Sequence, residues 1–191
     1  QDKGSLALSY QAIEGLCTLF EDVEMQTKLS PYIVDLFTLL INIIPTSQSF
    51  KIFDMFQELL TVYGKLLFDY KDVCCIFIRN IVARINKEQS EFDESKQIII
   101  NKSLNLIKTI VGESSFVLSC PQELDIQLLP LYKWAERINE ISFDDDLIHI
   151  LTTILEITKT LTPFMIYAFE HFNSFYQKFL GILSASLSGR K

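Results

Sequence analysis

At 191 residues, with 49% hydrophobic and 21% charged residues, the chain can bury a large core without disulfides or metals and is too apolar for a disordered tail. Its 17 Lys and Arg against 24 Asp and Glu leave a net charge of −7, which excludes a general nucleic-acid binder, because neutralising phosphates requires a basic face. Six glycines and five prolines are too few for the many turns of an all-β fold.

In chain order, apolar residues recur at helical spacing nearly everywhere. A first helix is expected over 5–19. Ser30-Pro31 reads as an N-cap followed by proline at the first helical position, opening a second helix over 30–44. Pro45, with Thr46 and Ser47 behind it, ends that helix and opens a third over 47–63. There Phe53, Phe56 and Leu60 form one apolar stripe, widened by Phe50 and Leu59. Gly64 predicts a break, with a fourth helix over 65–86. The polar run 87–94 predicts a loop. The fifth helix, 93–111, carries Ile100, Leu104, Ile107 and Val111 on one face, beside Ile99, Leu106 and Ile110. It ends at Gly112-Glu113-Ser114-Ser115. Cys120-Pro121 opens a sixth over 121–139, which Pro130 should kink or split. The seventh, 143–158, has a stripe of Leu147, Leu151 and Ile154 with Ile148 and Leu155 beside it. Leu161-Thr162-Pro163 opens the eighth, to about residue 187, with a break expected near Asn173. No run alternates as a strand would between turn signals.

Taken two by two, these helices make four antiparallel pairs over 5–44, 47–86, 93–139 and 143–187. First helices start near residues 5, 47, 93 and 143, a spacing of about 42, 46 and 50 residues. That lies near the roughly 40–47 residues of a HEAT-type helix pair. The predicted fold is therefore all-α: a HEAT-like helical-hairpin solenoid forming a single segment over residues 1–191. A four-helix bundle with extra helices is the alternative. The chain opens on Gln1 and its first methionine is Met25, which reads as a piece of a longer or processed chain.

Signatures of chemistry are sparse. Cys17, Cys74, Cys75 and Cys120 form no Cys-x-x-Cys pair, and adjacent Cys74 and Cys75 point apart on a helix. They read as small buried hydrophobes of a reducing compartment, cytosol or nucleus, which makes the sequon Asn101-Lys102-Ser103 a chance match. No zinc or other metal site is expected. His149 and His171 lie 22 residues apart and neither neighbours a nucleophile motif. Asp145 and His149 share a helix face at i, i+4, but Asp144, Asp145 and Asp146 are more simply the acidic first turn of a helix that Ser142 caps. Gly112 and Gly181 belong to no phosphate-binding loop, and Trp134 reads as core. No catalytic residue, no cofactor and no enzymatic activity are expected. No signal peptide is visible, and the most apolar stretch, 32–44, is too short to span a bilayer.

Charge is uneven: net −5 over residues 1–62, +2 over 63–110 and −6 over 121–170. A curved helical array with acidic segments would offer a broad negative surface to a basic partner and speed the encounter. Asp125, Glu136, Glu140, Asp144, Asp145 and Asp146 are the candidate protein-binding residues.

The stretch Gln122-Glu123-Leu124-Asp125-Ile126-Gln127-Leu128-Leu129-Pro130-Leu131, the acidic opening Ile141-Ser142-Phe143-Asp144-Asp145-Asp146-Leu147 and the turn Ile157-Thr158-Lys159-Thr160-Leu161-Thr162-Pro163-Phe164-Met165 resemble HEAT helices of nuclear transport receptors. The family is the importin beta superfamily (karyopherins), in particular the branch containing importins seven and eight. Lys28-Leu29-Ser30-Pro31-Tyr32-Ile33-Val34 is similar to a helix start in that branch. The resemblance implies a HEAT-repeat segment that binds protein cargo non-covalently, at home in cytoplasm and nucleus. It implies Ran GTPase as a partner of the parent protein only, since the family's amino-terminal Ran-binding repeats have no counterpart here. Other readings are a HEAT-like scaffold or adaptor in another cytosolic or nuclear complex, and a compact all-helical enzyme.

Overall fold

The computed structural model describes residues 3–47, 49–88, 94–137, 145–164 and 169–188. Among these residues the protein is all-α and contains no strand. The helices are α1 (Lys3–Glu21), α2 (Val23–Leu29), α3 (Ile33–Ile41), α4 (Lys51–Leu67), α5 (Lys71–Glu88), α6 (Glu94–Val111), α7 (Ser114–Ser119), α8 (Pro121–Arg137), α9 (Asp145–Leu161) and α10 (Phe169–Ser188). Short 3₁₀ turns at Ser30–Tyr32 and Thr162–Phe164 precede α3 and follow α9.

Several boundaries differ from the sequence expectation, each for a physical reason. The segment before Ser30 is helical because the Asp22 carboxylate accepts from the Met25 N–H at 2.9 Å and caps α2. Pro31 then sits at the start of a 3₁₀ turn rather than of a long helix. The α3 helix stops at Ile41, whose carbonyl accepts from Asn80 Nδ2 on α5 at 3.2 Å. Gly64 does not break α4. It is buried inside the helix, and a Cβ there would meet the Phe68 ring at 3.0 Å, so the glycine makes room for an aromatic ring. Pro130 does not split α8. The carbonyl it deprives of a donor is that of Ile126, an exposed residue that water can reach. Asn173 lies within an unbroken α10. The polar stretch after Gly112 includes an unforeseen short helix, α7, which buries Phe116 and Val117.

With the short α2 and α7 left aside, most helices pack on the second helix along the chain. In one row α1 meets α4, α4 meets α6, and α6 meets α9. In the other α3 meets α5, α5 meets α8, and α8 meets α10. The rows join where α5 lies on α6 and, at one point, around three aromatic rings. Phe37 of α3, Phe56 of α4 and Phe77 of α5 are fully buried, with ring centroids 5.4, 4.8 and 5.1 Å apart. The stripe Phe53, Phe56 and Leu60 is buried as its spacing predicts, and Trp134 is core. Further along, the Tyr132 and Thr158 hydroxyls bond to each other at 3.3 Å and satisfy two buried polar groups between α8 and α9.

Candidate functional site

The acidic residues singled out above do not all reach the surface. Asp125 is only 3% exposed, which corrects its expected place on a binding face. It lies on α8 three residues before Leu128 and seven before Tyr132, both fully buried, so helical geometry turns it inward. Burial pushes the Tyr132 phenol well above its ordinary value; the Thr158 hydrogen bond opposes this, and the nearby Asp125 carboxylate adds to it. Asp145 and Asp146 open α9, as the first-turn reading expects. Their side chains, that of Glu136, and residues Glu140 and Asp144 lie outside the described residues. His149 is exposed on α9 and His171 half-buried on α10.

The row α1–α4–α6–α9 carries a chain of ion pairs across its outer surface. Lys51 of α4 pairs with Glu14 of α1, Lys102 of α6 with Asp54 of α4, and Lys108 of α6 with Glu156 of α9. The Lys108 hydrogen bond and charge hold the Glu156 carboxyl below its usual range. Beside the last pair a shallow, open groove of 710 Å³ is lined by Gln57, Asn105, Lys108, Thr109, Gly112 and Glu113. It holds both charge signs; Lys108 is engaged by Glu156, and the Thr109 hydroxyl donates to the Asn105 carbonyl at 3.0 Å.

The other row brings together residues that sequence spacing keeps apart. Cys75 sits in the second turn of α5, and Cys120 directly precedes α8. Their Sγ atoms are 3.7 Å apart although 45 residues separate them. Glu123, in the first turn of α8, places Oε2 3.8 Å from Cys75 Sγ, and Lys71 Nζ lies 4.0 Å from the same oxygen. Both cysteines are buried, while Glu123 is half exposed. Cys74 faces elsewhere and donates to the Leu67 carbonyl at 3.3 Å. Burial, reinforced by Cys120, pushes the Cys74 thiol up to about 12. Burial raises Cys75 further, with Cys120 and Glu123 adding to it. The three-residue cluster was missed because a search for close Cys spacing sees only local pairs. The recoverable signal is that both cysteines lie near helix N-termini one helix pair apart.

No family model, no curated protein and no solved structure matches this chain. Among the described residues, no helix is long and apolar enough to cross a membrane.

Proposed function

We propose that the chain is a protein-binding segment made of HEAT-like antiparallel helix pairs stacked as a solenoid, of the kind nuclear transport receptors of the importin beta superfamily use to carry cargo between cytoplasm and nucleus. The observation that carries this reading is that tertiary contacts in both rows recur at separations of 37 to 48 residues, about one helix pair. In the first row Lys51–Glu14 spans 37 residues, while Lys102–Asp54 and Lys108–Glu156 each span 48. In the second, Asn80 reaches the Ile41 carbonyl and Arg84 the Pro45 carbonyl over 39 residues, and Cys75 meets Cys120 over 45. Contacts that recur one helix pair apart in both rows are what stacked repeats produce, since each repeat touches only its neighbours. The likeness of the 122–131, 141–147 and 157–165 stretches to importin helices adds the transport assignment.

The work is non-covalent. Helix pairs bury a shared core and leave a broad surface whose net negative charge attracts a basic protein cargo. Ran GTPase belongs to the proposal only for the parent protein. Leu39 on α3, Ile76 on α5, Ile126 on α8 and Leu180 on α10 are exposed apolar residues along the second row, and they favour a second reading, a scaffold that grips a less charged partner. The experiment that tests the cargo reading is fluorescence anisotropy with a labelled Lys/Arg-rich peptide and an acidic peptide of equal length. Saturable binding of the basic peptide alone is expected, weakening about tenfold or more as salt screens exposed charge. No binding of the basic peptide overturns it.

A further inference from the structure

Cys75, Cys120 and Glu123 serve no purpose in the cargo reading, yet their donor atoms lie within 4.8 Å of one another. We propose that Cys75, Cys120 and Glu123 form a binding site for a divalent metal ion of the zinc class, with one coordination position open to water or an outside donor.

The geometry carries this. A tetrahedral ion with metal–sulfur bonds of about 2.3 Å sets its two sulfurs about 3.8 Å apart, and a carboxylate oxygen at about 2.1 Å lies about 3.6 Å from each sulfur. The observed Sγ–Sγ distance is 3.7 Å and the Cys75 Sγ–Glu123 Oε2 distance 3.8 Å. Both separations from Cys75 therefore already match those an ion would set, and Cys120 and Glu123 stand within 4.8 Å of each other, close enough for a small side-chain rotation to complete the set. A disulfide, the competing chemistry of two neighbouring thiols, needs its sulfurs about 2.05 Å apart and an external oxidant.

Local electrostatics point the same way. Cys75 and Glu123 lie in the first two turns of α5 and α8, and Cys120 directly precedes α8. The positive end of α8 therefore favours negative ligands at Cys120 and Glu123, while at the buried Cys75 the dication itself supplies the charge that a thiolate needs. Two thiolates and one carboxylate around a dication leave a charge of −1, which Lys71 beside Glu123 offsets. Half-exposed Glu123 provides the way in, and the buried thiols exclude bulk water once the ion is seated. Cysteine ligates such an ion as thiolate, so as the two metal–sulfur bonds form the two S–H bonds break and their protons pass to the solvent. The bound ion ties α5 to α8, neighbours in the second row, and so stabilises their stacking.

The test is titration of the reduced chain with cobalt(II) as a spectroscopic probe, followed by displacement with zinc and elemental analysis after dialysis. The expected result is one ion per chain, with the sulfur-to-cobalt charge-transfer and visible bands of a tetrahedral site. Calorimetry in two buffers should report two protons released per ion. Cys75→Ser and Cys120→Ser should each abolish the charge-transfer band or weaken affinity at least about 100-fold, and Glu123→Gln should weaken it about tenfold. Cys17→Ser and Cys74→Ser should retain full binding. Glu123→Gln leaves both buried thiols in place, so its effect separates lost ligation from a disturbed core. Absence of a sulfur-to-cobalt band in the reduced chain, or a band unchanged in Cys75→Ser and Cys120→Ser, overturns the proposal.

Discussion

Lys102 of α6 reaches back 48 residues to pair with Asp54 of α4. Six positions further along α6, Lys108 reaches forward by the same 48 residues to Glu156 of α9. One helix thus bonds to both of its neighbours in the row. Such pairs align helices without holding them strongly, because both partners of each are partly exposed. Asp54→Ala is expected to cost about 0–1 kcal/mol in urea unfolding, and Glu156→Ala to leave the urea midpoint nearly unchanged. A double-mutant cycle on Lys102 and Asp54 should give a coupling of similar size that shrinks in high salt.

Truncating the aromatic joint should cost far more. Phe56 is fully buried and packs its ring on Phe37 and Phe77, so Phe56→Ala removes contacts to two other helices, α3 and α5, and leaves a cavity. The expected loss is about 3–5 kcal/mol by urea unfolding. If helix pairs act as repeats, the damage stays partly local. Hydrogen exchange should then quicken most in α3, α4 and α5, while α8 and α9 keep more of their protection. A uniform loss along the chain would mean that it unfolds as one cooperative unit, against the solenoid reading.

Pro130 offers a test with the opposite sign. It lies inside a helix that is continuous across it, at a place where the backbone N–H it lacks would have bonded to Ile126. Pro130→Ala restores that donor without requiring the helix to change course. The more flexible unfolded chain takes back part of the gain. A net stabilisation of about 1–2 kcal/mol is expected from thermal and urea unfolding. Destabilisation would show that the proline ring packs into the core more than its half-buried state suggests.

How much of this was legible in the sequence depends on what sets each feature. The stripe of Phe53, Phe56 and Leu60 and the opening of α8 at Pro121 follow from local periodicity and capping, and both stand in the structure. Gly64 and Pro130 misled because their effect depends on surroundings: a ring of Phe68 beside one, the solvent exposure of Ile126, whose carbonyl is freed, beside the other. Asp125 misled because a carboxylate was taken as a surface residue, although its helical register with Leu128 and Tyr132 already pointed inward. The Cys75–Cys120–Glu123 cluster is a product of the stacking of α5 on α8, which no local spacing reports.

The buried thiols give stability a dependence on pH whose sign is fixed by their environment. Burial raises Cys74 from an ordinary thiol value of 9.0 to about 12, and raises Cys75 as well. A group whose folded pKa lies above its unfolded one contributes stability that is complete below the unfolded value. Between the two values the unfolded chain has lost the proton while the folded chain still carries it, so stability falls as pH rises. In metal-free buffer the loss should begin near pH 9 and continue toward pH 12, at about 1.4 kcal/mol per pH unit for each such thiol. Cys74→Ala should lower stability at neutral pH through lost packing, yet flatten the alkaline decline by about one thiol's share. Urea midpoints measured from pH 7 to pH 11 on the native chain and on Cys74→Ala decide this. Curves that run parallel across the alkaline range would show that Cys74 ionises as easily folded as unfolded, and that the apolar seat between α4 and α5 is open to water.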